Sequence, residues 1–301
     1  MQNRLTLSTW LMLVTLGLIW GASFFFARIA VVWIPPLTLV FLRVVLAAIA
    51  LHLYLHGRNG LFRILAARWR SFLVLGAINN VIPFSLIFMG QTQIGAGLAA
   101  ILNATTPLWT LIIANVVTED EKMTTTRTLG CILGLVGMLV LTGPSALSGF
   151  DAHIWAQLAV VGAAISYGFA ATFAKSFRGV APTIVATGQL SASSLIMIPL
   201  ICIIDQPWTL AFPPIEVVGA VILLAVLSTS VAYILYFRII ADAGATNGSL
   251  VTLLVPPSAI LLGVLFLGET LTIHAALGLA LIAAGLLVID GRLLHRRRFH
   301  A

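Results

Sequence analysis

The polar side chains able to bind or react fall at recurring depths inside long apolar runs. Asn79, Asn80, Asn103, Thr105, Thr106, Tyr167, Ser228, Thr229, Ser230, Tyr233 and Thr252 lie near the centres of such runs, together with Trp20 and Trp109. Amides, hydroxyls and an indole can hold a small polar molecule by hydrogen bonds and ring contact. They supply no nucleophile–base pair at depth, no HExxH and no acidic pair, so the chain reads as a binding protein and not an enzyme. Unpaired amides in hydrocarbon are costly, so these groups must bond one another or line a wet cavity. For any single hydroxyl, bonding between helices is the simpler reading. For Asn79, Asn80 and Asn103 the cavity reading leads.

One charge stands out. Arg43 follows Pro36 by seven residues, about 10 Å into a helix at 1.5 Å per residue. An arginine at such depth is a functional candidate, able to pair with a substrate carboxylate or with backbone carbonyls. Arg28 and Lys175 lie nearer the ends of runs and can reach the interface. The acids fall at loops or run ends, and Glu121 and Glu269 precede the fifth and tenth runs as dipole-stabilised, structural groups. The histidines are peripheral as well, so a one-carboxylate proton antiporter is disfavoured. The candidate substrate-binding set is Trp20, Arg43, Asn79, Asn80, Asn103, Thr106, Tyr167, Thr229, Tyr233 and Thr252. Candidate hinges are Gly21, Pro107, Gly168, Pro256 and Pro257, because Pro107, Pro256 and Pro257 are expected to interrupt the fourth and ninth runs and free carbonyls at mid-depth.

The elements carrying these residues follow from composition. Of 301 residues, 60% are apolar and 8% charged. A soluble domain is roughly 45–50% apolar and about 25% charged, so a water-soluble surface is out of reach and a polytopic membrane protein is implied. Continuous runs such as VVGAAISYGFAATF exclude the alternating strands of a membrane β-barrel. Ten segments are expected, at 9–33, 36–56, 69–92, 96–117, 126–144, 154–174, 183–204, 214–239, 246–268 and 272–291. The first exceeds the core of a signal peptide, about 7–15 residues, and is expected to be retained. Cys131 and Cys202 lie in apolar runs and read as buried thiols, neither disulfide nor metal ligands. No cofactor motif occurs, so no cofactor and no metal are expected.

The net charge of +7 reads as orientation, not nucleic-acid binding. With the N-terminus inside, fourteen of the sixteen basic residues fall in inner segments, including the HRRRFH tail. Ten helices with both termini cytoplasmic in a cell membrane, in contact with lipid and a small-molecule substrate, are therefore expected. A monomer is compatible with this layout.

The chain also repeats itself. Gly21, Phe26 and Arg28 meet Gly168, Phe173 and Lys175 at an offset of 147. Phe84, Phe88, Gly95 and Pro107 meet Tyr233, Phe237, Gly244 and Pro256 at 149. Glu121, Gly130 and Gly137 meet Glu269, Gly278 and Gly285 at 148. Two copies of an odd-numbered unit enter the membrane from opposite sides, as in many secondary transporters with a midplane site. The expected organisation is an all-α fold of two inverted five-helix repeats, residues 1–147 and 148–301. The glycine faces of the fifth and tenth helices read as close-packing surfaces.

Trp20-Gly21, Leu42-Arg43, Pro107, Glu121, Gly130 and Gly137 in the first copy, and Pro256, Gly268-Glu269, Gly278 and Gly285 in the second, resemble the drug/metabolite transporter superfamily and its EamA-type exporters. The resemblance spans the whole chain, with Asp120 where glycine is usual and Ser23 where asparagine is frequent. It implies export of small metabolites by alternating access across a bacterial inner membrane. Amino acids suit the neutral, aromatic cavity, and the YddG-type amino-acid exporters are one branch that the motifs reach without singling it out. Sister branches carry phosphorylated or nucleotide-linked sugars, which would want more cavity-facing cations.

Overall fold

A segment in hydrocarbon must satisfy its own backbone hydrogen bonds, which makes each long apolar run a helix. The computed structural model describes residues 6–56, 60–119, 121–142, 154–258 and 273–290, and the regular structure among them is helical. The helices are α1 (Leu7–Val31), α2 (Pro36–Tyr54), α3 (Trp69–Gln91), α4 (Ala96–Asn103 with Thr106–Val117), α5 (Thr125–Thr142), α6 (Ile154–Ala174), α7 (Pro182–Ile203), α8 (Ile215–Ala243), α9 (Ala245–Ser249, continuing over 251–258) and α10 (Ile273–Asp290). A short helix, Leu61–Ala67, precedes α3. Seven of these segments are long and apolar enough to cross a membrane, and α5 and α10 hold shorter apolar windows, Thr125–Val140 and Ala276–Ile289. Glu269, the C-terminal tail and the outer part of α9 lie outside the described residues.

Pro36 and Pro182 open α2 and α7, where a missing N–H costs nothing. Apolar side chains such as Leu11, Val116, Leu158 and Leu195 are exposed and form the lipid face. Trp33, Trp69, Trp155 and Trp208 are exposed at helix ends, as interface anchors should be. Cys131 is buried, but Cys202 is exposed on α7, contrary to the expectation of two buried thiols, because its position on the helix faces outward.

The helices pack as the internal repeat requires. α2 lies on its counterpart α7, and α5 on its counterpart α10. α1 packs on α8 as α6 packs on α3. The α5–α10 seam is the glycine face expected from the sequence. A Cβ at Gly285 would stand 2.7 Å from Gly130 O, and one at Gly137 would stand 2.9 Å from Gly278 O. The backbones therefore touch without side chains between them. Gly168 lets α6 close on α4 in the same way, since a Cβ there would meet Thr110 N at 3.1 Å.

Two acids tie the halves together at opposite ends. At the basic end, Glu121 accepts from Ala245 N and Thr246 N, each at 2.9 Å, and from Thr246 Oγ1 at 2.5 Å. Lys175 Nζ lies 3.1 Å from its Oε1. Glu121 thus caps α9 of the second half, not the α5 that follows it. The left-handed Gly244 makes room, because a Cβ there would sit 2.8 Å from Glu121 Oε1. At the other end, Asp205 of the second half accepts from Thr38 N at 2.7 Å and Thr38 Oγ1 at 2.8 Å, capping α2 of the first.

Burial pushes the Glu121 carboxyl up, but the Thr246 and Ala245 bonds and Lys175 outweigh it and hold it below its ordinary value of 4.5. A depressed folded value stabilises the protein above pH 4.5, and that contribution is lost as pH falls through the folded value. Glu121→Ala is expected to cost about 3 kcal/mol in detergent near neutral pH, with the deficit relative to wild type shrinking in acid. Unfolding temperatures measured between about pH 3 and pH 7 check both. Gly285→Leu is expected to destabilise by about 1–3 kcal/mol through overpacking. Gly219→Leu, which meets no neighbour within 4 Å, is expected to leave the unfolding temperature unchanged.

Candidate functional site

The polar centres of α3 and α8 do more than line a space. Each helix widens there into a π-helical turn, Ala77–Val81 in α3 and Val226–Val231 in α8. The two turns start 149 residues apart, the repeat offset. A π-turn disturbs the regular ladder and leaves carbonyls available to side chains from other helices. Ile78 O accepts from Ser166 Oγ at 2.6 Å. Asn79 O lies 3.1 Å from Tyr233 Oη. Ser228 O accepts from Trp20 Nε1 at 3.2 Å and from Arg43 Nη2 at 3.3 Å. Trp20, Tyr233 and Arg43 are therefore all oriented by π-turn carbonyls.

These side chains surround a cavity among α1, α2, α3, α4, α6, α8 and α9, about 690 Å³ counting the open space at its mouth. Of the expected binding set, Trp20, Arg43, Asn79, Asn103, Thr106, Tyr167, Tyr233 and Thr252 line it. Asn80 and Thr229 do not, and both are fully buried. Asn80 Nδ2 donates to Ser193 Oγ at 2.8 Å and its Oδ1 accepts from Tyr233 Oη at 2.5 Å. Thr229 donates to Leu224 O at 2.7 Å and accepts from Arg43 Nε at 2.8 Å. They hold lining residues in place and reach nothing themselves. Asn79 spends its amide on Gln189 Oε1 at 2.9 Å, so it borders the cavity while bonding α3 to α7.

Arg43 is 5% exposed, and its guanidinium carbon sits 3.8 Å from the Phe84 ring centroid and 6.0 Å from that of Phe88. Its Nε and Nη2 are bonded, and its Nη1 has no hydrogen-bond partner among the described residues. No carboxylate pairs with it among those residues either. The aromatic wall is continuous beyond it: Trp20 lies 6.3 Å from Tyr233 and 5.3 Å from Tyr236, centroid to centroid. Phe84 likewise contacts Tyr167 at 6.4 Å. The arrangement is a cation set in an aromatic, largely neutral pocket.

The hinge expectations meet a different geometry. α4 breaks between Asn103 and Thr106, and Pro107 sits in the first turn of the restarted helix, where it removes no bond. Thr105 and Thr106 hydroxyls take the carbonyls of Leu102 and Asn103 at 2.7 and 2.5 Å. α9 turns at Leu250, with Ser249 and Thr252 hydroxyls bonding back to Thr246 O and Ser249 O. Pro256 and Pro257 lie within the helical stretch 251–258 and do not break it. α9 breaks instead at Leu250, beyond the N-terminal turn that Glu121 caps. Gly21 and Gly168 lie inside the unbroken α1 and α6.

Several lining residues lay outside the expected set. Ser23, Phe24 and Ala27 extend the Trp20 face of α1 toward the end opposite the basic one. Phe84, Phe88 and Gln91 extend α3 the same way, and Tyr236 and Ser249 complete the wall. The spacing i, i+4, i+7 from Trp20 and from Phe84 would have found most of them once one residue was anchored.

The EamA-like transporter family matches the chain twice, over residues 7–143 and 154–290. A Bacillus subtilis protein described as the uncharacterized transporter YoaV is 24% identical, covering 91% of this chain and 94% of its own. The Escherichia coli inner membrane transporter YedA, also described as uncharacterized, is 26% identical, covering 92% and 89%. A probable terminal-alkyne amino-acid exporter of Streptantibioticus cattleyicolor is 24% identical over 98% and 97%. A crystal structure 19% identical in sequence superposes with a TM-score of 0.79 over 98% of this chain and 99% of the other, sharing the fold. Matched by this family over both of its halves, the chain belongs to the EamA-like transporter family.

Proposed function

We propose that this transporter exports neutral amino acids by alternating access, the halves 1–147 and 148–301 rocking about the cavity between them. The observation that carries the reading is Arg43: a buried guanidinium on the cavity wall, with an unbonded Nη1 and no carboxylate partner among the described residues. A substrate carboxylate supplies what the protein withholds, by charge-assisted hydrogen bonds. The aromatic wall from Trp20 to Tyr236 accommodates the apolar part of an amino acid. Trp20, Asn79, Asn103, Thr106, Tyr167, Tyr233 and Thr252 form the rest of the contact set, with Asn80 and Thr229 behind them. A relative described as a probable amino-acid exporter lends support. The breaks at 103–106 in α4 and at Leu250 in α9 are the bending points, with Pro107 and Pro256–Pro257 beside them, Gly168 as a close-packing pivot and Gly21 as a further pivot in α1.

Among the described residues Arg43 is the one cation on the cavity wall, which ranks phosphorylated or nucleotide-linked sugars below amino acids. No acid or histidine lines the cavity among those residues, so flux follows the substrate gradient without proton coupling. The protein operates in a bacterial inner membrane with both termini cytoplasmic, following the positive-inside rule.

Counterflow of labelled amino acids in proteoliposomes tests this. Saturable exchange is expected without a pH gradient, and Arg43→Gln is expected to lower kcat/KM by about tenfold or more, with Arg43→Lys in between. Equal exchange of the decarboxylated amines, or full activity in Arg43→Gln, would refute the carboxylate reading. A strict requirement for an imposed pH gradient would refute uncoupled transport.

A further inference from the structure

Gln91 is fully buried, lines the cavity, and has neither Nε2 nor Oε1 bonded among the described residues. Its backbone, in contrast, is anchored: its carbonyl accepts from Arg28 Nη1 at 2.9 Å. An amide that is sequestered from water and bonded at neither end is a cost the fold could have avoided with leucine. Nearby, Asn103 Oδ1 is likewise buried and unbonded on the same cavity. In the polar centre Asn79 Nδ2 donates to Gln189 Oε1 and Asn80 Nδ2 to Ser193 Oγ, and Gln189, whose Nε2 is unbonded among the described residues, does not line the cavity. On the cavity wall, the unbonded buried polar atoms among the described residues are thus those of Gln91 and Asn103.

Position assigns the partner. Phe84, Phe88 and Gln91 lie on one face of α3, and the Arg43 guanidinium rests on Phe84. Seven residues separate Phe84 from Gln91, a rise of about 10 Å. A molecule whose carboxylate is at Arg43 thus meets Gln91 with the far end of its side chain and not with its α-amino group. Gln91 offers two N–H donors and one carbonyl acceptor, a match for a hydroxyl or a carboxamide. Arg28 behind it disfavours a cationic end. Resting on the amino-acid reading above, we propose that Gln91 is the specificity-determining residue of the cavity, selecting amino acids whose side chains end in a neutral hydrogen-bonding group.

The test is counterflow with two pairs that differ at that end, tyrosine against phenylalanine and glutamine against methionine. Wild type, Gln91→Leu and Gln91→Met are compared, each with its unfolding temperature. Wild type is expected to prefer tyrosine and glutamine by about tenfold or more in KM. Both variants are expected to lose that preference by a rise in KM for tyrosine and glutamine alone, with kcat and the phenylalanine and methionine values kept. Their unfolding temperatures are expected to be unchanged or raised, since no protein partner is lost. A preference that survives in the variants overturns the proposal, as does a wild type that treats both members of each pair alike. A fall in stability with all four substrates declining together makes Gln91 structural and overturns it too. Wild type that exchanges none of these or any other amino acid overturns the amino-acid reading itself, a result distinct from the others.

Discussion

The site depends on carbonyls released by two π-helical turns. A regular helix spends its carbonyls on its own N–H groups, so a side chain crossing from a neighbouring helix must share an acceptor that is already bonded. The turns at Ala77–Val81 and Val226–Val231 change that at the same depth in both halves. Ser228 O, on α8, holds Trp20 from α1 and Arg43 from α2. Asn79 O and Asn80 Oδ1, on α3, hold Tyr233 from α8. Each half thereby orients functional groups of the other, and the cavity exists only where the halves meet.

The same exchange operates at the ends of the bundle. Glu121 from the first half caps a helix of the second, and Asp205 from the second caps a helix of the first. Each carboxylate sits where a helix N-terminus carries partial positive charge, so it is stabilised by that helix's dipole. Because the helices alternate in direction, these two contacts lie at opposite ends. The Glu121 cluster joins the halves at the basic end, below the cavity floor that Tyr233 and Tyr236 provide. The cavity residues on α1 and α3 run from mid-depth toward the other end. No described residue of α5 or α10 lines the cavity; their glycine seam is a backbone contact that fixes one helix of each half against the other.

Hydrophobic run length made the helices legible, because hydrocarbon imposes it one residue at a time, and the residue matches at a constant offset made the repeat legible. The offset near 148 also located the equivalent polar centres on α3 and α8. What it did not disclose was the π geometry, since an extra residue in a turn leaves the composition of a run unchanged. For the same reason Asn80 and Thr229 read like cavity residues: depth is visible in sequence, but helix face is not once a π-turn shifts the phase of the helix. Proline misled in a related way. Pro107 marks a restart, and Pro256–Pro257 lie within the described helical stretch 251–258, while the turn of α9 falls earlier, at Leu250. Glu121 itself read as the cap of its own following helix, the nearest N-terminus in sequence; its true partner is 124 residues away.

Arg43 shows how far the fold supports a charge without neutralising it. Its protein partners are the neutral Thr229 hydroxyl, the Ser228 carbonyl and the Phe84 face. A desolvated cation–π contact is worth about 2 kcal/mol. Hydrogen bonds to a charged group add about 1.5–3 kcal/mol each. Removing a cation from water costs several kcal/mol even after relaxation, so these supports roughly hold the guanidinium in place without answering its charge. An acid in the wall would complete the balance and leave nothing for an anionic group to gain. The absence of such a partner among the described residues keeps the attraction available to whatever enters the cavity. The aromatic wall lowers the local polarity and strengthens that attraction. Stability and binding therefore compete for the same charge, and at this position the fold leaves it to binding.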